Sequence, residues 1–326
     1  MSRTARIVSS SPAPSRPGAL AHKLLEVPPS YVVLALVLAM AALVNSNLLR
    51  PHILLTFLKQ SAPLGLAVLG QLLVVRVRSI DLSVGGVFLV CNYLLTCGAL
   101  DGFSPAAQIT VPLVFGVAVG AVNGALVAYV RASAVISTLG VSTVLGGLVL
   151  FASSGRPPGQ VPNDLRVISA AMVGPVSLPV LLWCIAAAIL ALVLRYLVFG
   201  RFVTVVGSNP LAARFSGVSL PRIVAATHVM AGLLAALGGM LFTTALGVGS
   251  VNLGSDIMMN SVAATILGGV TFGSGRGSVA GPMAAVAAFA LLFPMLTVMG
   301  VEEPGKLIVQ GLAIAIAAIV YGVKNR

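Results

Sequence analysis

The sequence predicts an all-α polytopic membrane protein with about ten transmembrane helices. Of its 326 residues, 58% are hydrophobic and only 8% are charged, and the mean hydropathy is +1.09. A soluble domain carries roughly 25% charged residues. The apolar residues form continuous runs of about the length that a spanning helix needs, without the alternation of membrane strands. These observations exclude a soluble enzyme, a disordered protein and a disulfide-rich secreted domain.

Two regions divide the chain. Residues 1–29 are rich in Ser, Pro, Arg and Ala, which predicts a flexible cytoplasmic tail. Residues 30–323 form the predicted transmembrane domain. Its apolar segments are 31–48, 54–75, 82–100, 108–130, 134–152, 179–199, 223–246, 257–272, 277–299 and 306–322. The eighth is short and ends at Gly268-Gly269, which favours a broken or re-entrant helix enclosed by protein or water.

The basic residues indicate the orientation. With ten spans and the N-terminus inside, 14 of the 19 Lys and Arg residues lie on the inner side and five on the outer side. The positive-inside rule therefore predicts that both termini are cytoplasmic. The net charge of +12 comes from basic residues scattered singly between apolar segments. This distribution is typical of topology signals, and we expect no nucleic-acid partner.

Small residues predict how the helices pack. Gly116, Gly120 and Gly124 recur at a spacing of four in one segment, and such residues let helices approach closely in lipid. The glycine-rich run 268–277 lacks the lysine of a phosphate-binding loop and is interpreted as a turn between helices. The sequence predicts no catalytic residue, no metal site and no cofactor bound by this chain.

The loop 200–222 is the most informative part of the sequence. Asn209 is a good helix cap, Pro210 suits the first helical position and Gly217 suits a helix end. The expected helix is too short to be stable alone in water. Its apolar face, formed by Leu211, Ala212, Phe215 and Val218, is therefore expected to dock on a partner or on the bundle itself. The alternative is an ordinary linker on the lipid headgroups.

Several motifs together resemble the permease subunits of ribose-type sugar importers of the ABC class. They are Ile80-Asp81-Leu82-Ser83-Val84-Gly85, Ser137-Thr138-Leu139-Gly140, Gly207-Ser208-Asn209-Pro210 with Ala212-Ala213-Arg214 and Ser216-Gly217, and Gly268-Gly269 followed by Gly275-Arg276-Gly277-Ser278-Val279-Ala280-Gly281. Branched-chain amino-acid permeases are more distant relatives, and nucleoside importers use similar subunits. The chain departs from the family at Ser79, where glycine is usual, and at Leu211, where an acid is usual. The second departure changes the chemistry expected for ATPase docking.

The resemblance implies a transport subunit of the bacterial cytoplasmic (inner) membrane that performs no covalent chemistry. It would receive a small polar solute, such as a monosaccharide, from an extracytoplasmic binding protein. A second permease copy or a paralogue would complete the pathway in the lipid bilayer. Separate ATPase subunits would use ATP and Mg and dock on the loop, at Asn209, Pro210, Leu211, Ala212, Ala213, Arg214, Phe215 and Gly217. The family motif residues are Asp81, Ser83, Gly85, Gly275, Arg276 and Gly277.

Polar side chains inside the apolar segments predict a solute pathway. Amides suit a neutral solute, and polar groups facing lipid are costly. The candidates are Gln71, Asn92, Asn123, Asn260 and Gln310; polar contacts between helices are the alternative. Asp81 is expected to cap the third helix or to pair with Arg76 or Arg78. Two rival interpretations remain: a stand-alone transporter with His228 as proton relay, and a nonconducting scaffold. The lack of an acid in the middle of a span argues against the first.

Overall fold

A computed structural model describes residues 28–324, so that nearly all of the predicted tail 1–29 lies outside the described residues. The helices are α1 (Pro29–Val44), α2 (Pro51–Arg76), α3 (Val84–Thr96), α4 (Pro105–Ala128), α5 (Ala134–Ala152), α6 (Asn163–Ala170), α7 (Leu178–Tyr196), α8 (Val198–Ser208), α9 (Pro210–Phe215), α10 (Leu220–Leu246), α11 (Ser255–Leu267), α12 (Ala280–Val298) and α13 (Glu303–Lys324). A 3-10 turn (Ser46–Leu49) follows α1, and β1 (Met172–Val173) and β2 (Val176–Ser177) form a small antiparallel hairpin.

Each of the ten predicted apolar segments corresponds to an α-helix of the structure. Six of the described helices are long and apolar enough to cross a membrane: α2, α4, α5, α7, α10 and α12. This confirms an all-α polytopic membrane protein. The total of ten spans stays a prediction, because α1, α3 and α11 have only 16, 13 and 13 residues. The orientation of the termini also stays a prediction.

Helix α10 lies at the centre of the bundle and packs against α4, α2 and α3. Its closest approach is to α4. There Gly116 touches Gly232 and Ala236, and Gly120 touches the backbone of His228. A side chain at either α4 glycine would collide with backbone atoms of α10. The close packing that the glycine spacing predicts is therefore confirmed for α4.

The largest hydrophobic cluster lies where α2 packs against α7, α11 and α12. Leu69, Leu72 and Leu73 of α2 meet Trp183 of α7 and Phe289 of α12 there. Burying these side chains keeps the inner half of α2 away from lipid. The helix ends at Arg76, one residue beyond the predicted apolar segment 54–75.

Two of the helices, α3 and α11, are too short to cross the bilayer alone. Thirteen residues span about 20 Å, against a hydrocarbon core of about 30 Å. Non-helical backbone precedes each of them, and we call residues 77–83 the first link and residues 247–254 the second link. The two helices start side by side, because the backbones of Gly85 and Gly254 are in contact. The short eighth segment is thus confirmed, whereas the first link was not predicted.

One end of the bundle is rich in arginine. The C-terminal ends of α2 and α4, helices α8 and α9 and the start of α10 all lie there. Arg78, Arg131 and Arg214 line a common crevice between these elements. We call this end of the bundle the basic end.

Candidate functional site

Helix α9 forms where the sequence predicts the short helix. Asn209 caps it, since its Oδ1 accepts a hydrogen bond from the Ala212 backbone N–H at 3.0 Å. Pro210 occupies the first helical position, and Gly217 follows the helix with a left-handed backbone, at φ +77°. The predicted start and end signals are therefore confirmed. The sequence did not predict α8, whose buried residues Gly200, Val203, Val206 and Gly207 are mostly three residues apart and lie along one face.

One face of α9 is anchored and the other is free. Ala213 is completely buried and packs in a cluster with Val77, Val203 and Val206. In contrast, Leu211 is 63% exposed and Phe215 is 83% exposed. These two side chains are four residues apart, so they lie on the same face of the helix. Leu211 and Phe215 of the expected apolar face remain uncovered within the single chain. Val218, which was expected on the same face, lies beyond the helix and packs against the anchored cluster instead.

Two arginines at the end of α2 tie α8 to the glycine-rich turn. Arg76 donates to the Gly275 carbonyl from Nε at 3.1 Å and from Nη2 at 2.9 Å, and Nη2 also donates to Thr204 Oγ1 at 2.9 Å. Arg78 donates to the carbonyls of Gly207 at 2.7 Å, Ser208 at 3.1 Å and Gly273 at 3.2 Å. A movement of α8 must therefore move the turn and the end of α2.

The glycines of the turn allow this contact. Gly275 has a φ of +65° and lies against the backbones of Thr204 and Ser208. A β-carbon there would meet both the strain of a left-handed backbone and a collision. Gly277 packs against Val270, and the Arg276 side chain is exposed. Of the three motif residues, Gly275 is thus the one that holds the turn against α8.

Asp81 lies buried in the first link rather than beside the arginines. Its Oδ1 accepts hydrogen bonds from the Ser83 backbone N–H at 2.8 Å and from Ser83 Oγ at 2.6 Å. Asn123 of α4 donates from Nδ2 to Ser83 Oγ at 2.7 Å. The carboxylate thus closes a turn on the Ser83 N–H just before α3. This is not the helix cap that the sequence predicts, because α3 has no side-chain cap hydrogen bond.

The second predicted role, an ion pair with Arg76 or Arg78, is wrong. Both arginines are engaged with backbone carbonyls. The basic group nearest to Asp81 is instead His228 of α10, with Nδ1 at 3.7 Å from Asp81 Oδ2. The other ring nitrogen, Nε2, lies 2.9 Å from Ser79 Oγ. His228 is completely buried and Asp81 is 4% exposed, so two titratable groups meet inside the bundle.

Hydrogen bonds join the basic end of the bundle to the start of α3. Among residues 28–324, no group of three or more His, Cys, Asp or Glu side chains is placed to hold a metal ion. Arg76 and Arg78 connect α8 to the glycine-rich turn and to the first link. The first link, which contains Asp81 and Ser83, leads into α3. Such a path suits a subunit that transmits movement.

Comparisons with known proteins identify the family of this chain. The family model described as the permease component of a branched-chain amino acid transport system matches residues 53–318. The chain belongs to this family. The matched range includes every candidate residue named above. No solved structure matches the chain.

Curated relatives are import permeases. The permease is 28% identical to the ribose import permease protein of Bacillus subtilis, over 89% of this chain and 90% of the relative. It is 27% identical to the ribose import permease protein of Escherichia coli K12, over 91% and 94%. It is also 32% identical to the autoinducer 2 import system permease protein of Photorhabdus laumondii, over 66% and 65%. The predicted family, a transport role and a multi-pass location in the cytoplasmic membrane are thereby confirmed.

The amide side chains of the permease mostly bind other parts of the protein. Asn92 donates from Nδ2 to the Val248 carbonyl at 3.1 Å and accepts from the Ser250 N–H at 2.7 Å, so it holds the second link. Asn260 of α11 and Gln310 of α13 are hydrogen-bonded to each other. The contact between Asn260 and Gln310 is the interhelical kind that the sequence leaves open as the alternative, whereas Asn92 binds non-helical backbone.

Gln71 differs from Asn92, Asn260 and Gln310, and Asn123 shares part of the difference because its buried Oδ1 also has no partner among the described residues. Gln71 is buried in α2, and its Nε2 has no hydrogen-bond partner among the described residues. Among the five candidates it therefore keeps a donor that protein contacts do not use. Gln71 remains a candidate for the solute pathway, as the sequence predicts.

Two hydroxyl side chains of α5 have a structural role that sequence reasoning missed. Thr138 Oγ1 accepts from the Leu82 N–H at 2.9 Å, and Ser142 Oγ accepts from the Gly86 N–H at 3.2 Å. Backbone donors that leave helical geometry inside a membrane protein need such partners. Thr138 belongs to one of the family motifs, so the motif itself was the available signal.

Proposed function

We propose that this permease is the membrane-spanning subunit of an ATP-driven ABC importer, and that α9 is the element on which a separate ATPase subunit docks. The observation that carries the proposal is the uncovered pair Leu211 and Phe215 on a helix that is firmly anchored behind. A six-residue helix with two large exposed apolar side chains is costly in water. A groove in a partner that takes this face removes that cost.

The direction of the subunit follows from the same end of the molecule. The basic end would face the cytoplasm, because basic loops stay on that side. ATP and Mg would be used by the docked partner alone. An extracytoplasmic binding protein would meet the opposite end, and a second permease, identical or paralogous, would complete the pathway. The relatives' names, which all describe import permeases, support these partners.

The solute is proposed to be a small neutral polar molecule, a monosaccharide first. Two of the relatives are named for ribose. The candidate pathway residues of this chain are amides, which exchange hydrogen bonds with hydroxyl groups and attract neither charge. Nucleosides and branched-chain amino acids are the alternatives. A panel of binding-protein ligands tested for stimulation of ATP hydrolysis separates the three classes.

Movement would pass from α9 to the solute pathway through α8 and the hydrogen bonds of Arg78. Docking on α9 shifts α8, and Arg78 joins the end of α8 to the first link. The first link leads directly into α3, whose start touches the start of α11. A shift at the basic end therefore reaches the point where the two short helices meet.

The test is a charge placed on the uncovered face. Phe215→Asp is expected to abolish co-purification of an ATPase with a phosphate-binding loop and to uncouple ATP hydrolysis from transport. Val130→Asp is the matched control, because Val130 is 68% exposed at the same end and lies outside α9. Normal coupling in Phe215→Asp, from a sample that inserts and melts like the wild type, would refute the proposal.

The buried Asp81 and His228 favour a second candidate, a stand-alone transporter driven by protons. Such a transporter predicts that His228→Gln abolishes transport and that transport continues without any ATPase. The importer predicts ATP-dependent uptake in reconstituted vesicles and continued uptake in His228→Gln. The two outcomes exclude each other in the same assay.

A further inference from the structure

A crevice at the basic end contains more positive charge than the protein neutralises. It has a volume of about 560 Å³ and lies where the first link, the end of α4 and the start of α10 meet. Arg78, Arg131 and Arg214 line it, and no Asp or Glu is among its lining residues. Within residues 28–324, no acidic side chain lies within salt-bridge distance of these arginines.

The three arginines are not equivalent. The Arg78 guanidinium donates hydrogen bonds to three backbone carbonyls, which fix its position but do not neutralise its charge. Arg131 and Arg214 are exposed, and their side chains make no hydrogen bond to the described residues. Two guanidinium groups are thus free to bind a ligand beside a third that is held in place. Guanidinium groups bind phosphate with paired hydrogen bonds.

Further features of the crevice suit an anion with an apolar body. The first turn of α10 forms part of the wall, and Ser219 at its cap position makes no side-chain cap. The positive end of this helix adds to the charge of the arginines. The remaining wall includes Val127, Leu220 and Val224. A charged head and an apolar neighbouring surface match an amphipathic ligand better than a free ion.

We propose that this crevice binds the phosphate group of an anionic phospholipid. It lies at the ends of helices α2, α4 and α10, which is the level of the headgroups. Basic pockets between membrane helices are known binding sites for anionic lipid headgroups. Because Arg214 of α9 and the start of α10 both line the crevice, a bound lipid would contact the two helices together.

The experiment is native mass spectrometry of the delipidated full chain, titrated with phosphatidylglycerol or phosphatidylcholine of the same acyl chains. The wild type is expected to bind phosphatidylglycerol more tightly. A phosphate contact of about 1 kcal/mol for each arginine is about a fivefold change. The double variant Arg131→Gln, Arg214→Gln should therefore bind phosphatidylglycerol about 30-fold more weakly.

Charge-matched controls keep the result interpretable. Arg201→Gln with Arg222→Gln removes two exposed arginines that do not line the crevice, and it should bind like the wild type. Arg131→Lys with Arg214→Lys retains the charge and should recover most of the binding. Equal affinity for both lipids, or the same loss in the control pair, would overturn the proposal. Displacement of the lipid by excess inorganic phosphate would overturn the lipid source and assign the crevice to soluble phosphate.

Discussion

The hydrogen bonds of Arg76 to Gly275 and Thr204 support a quantitative prediction. In Arg76→Lys the charge remains, but one ammonium replaces a planar fork that reaches the Gly275 carbonyl and Thr204 Oγ1 together. Lysine has a single side-chain nitrogen, so the paired contact of Nε and Nη2 with the Gly275 carbonyl loses one of its two hydrogen bonds. Loss of one hydrogen bond from a charged donor costs about 1.5–3 kcal/mol. Opening of the turn should therefore become roughly 10- to 150-fold more frequent.

Hydrogen–deuterium exchange of the purified chain in detergent measures this opening directly. Peptides covering 268–279 should exchange faster in Arg76→Lys, and peptides covering the second link should not change. Arg201→Lys, an exposed arginine on α8, is the control. Unchanged exchange of the turn in Arg76→Lys, or an equal change in Arg201→Lys, would show that the tie does not hold the turn.

Two other buried contacts give predictions of the same kind. Asn92→Leu leaves a carbonyl and an N–H of the second link without partners, at about 1–3 kcal/mol each; the second link should lose protection from exchange, whereas the exposed Asn252→Leu should leave it unchanged. Gly207→Ala drives a β-carbon into the Arg76 carbonyl, and overpacking costs about 1–3 kcal/mol. Its melting temperature in detergent should fall, while Gly140→Ala, which meets open space, should match or exceed the wild type. A melting temperature of Gly207→Ala equal to that of the wild type would contradict the tight approach of α8.

Local signals account for what the sequence predicted well. The apolar segments, the Asn209 cap and the glycine spacing of α4 each depend on residues that are close in the chain. The same is true of the uncovered pair Leu211 and Phe215, whose separation of four residues already places them on one helix face. Elements and faces of this kind can be predicted from the amino-acid sequence alone.

Contacts between distant parts of the chain account for what was missed. Arg76 finds Gly275 almost two hundred residues away, and Asp81 finds His228 rather than the arginines next to it. In the sequence, Arg76, Arg78 and Asp81 look like an obvious charge cluster. The structure separates the two arginines from Asp81. Backbone carbonyls of α8 and the glycine-rich turn accept hydrogen bonds from the arginines, and the Asp81 carboxylate is buried in the bundle.

Assembly of the permease in the bilayer must follow an order imposed by its two links. The first link depends on Thr138, which lies 56 residues further along the chain, and the second link depends on Asn92, 156 residues earlier. Neither short helix can therefore rest in lipid as a finished unit when it leaves the insertion machinery, because its adjoining backbone would be unpaired. Long helices such as α4 and α10 satisfy their own backbone hydrogen bonds, so they can insert first and remain stable in lipid before the short helices pack. The short helices become stable only when the rest of the bundle has closed around them, so errors in biogenesis should concentrate there.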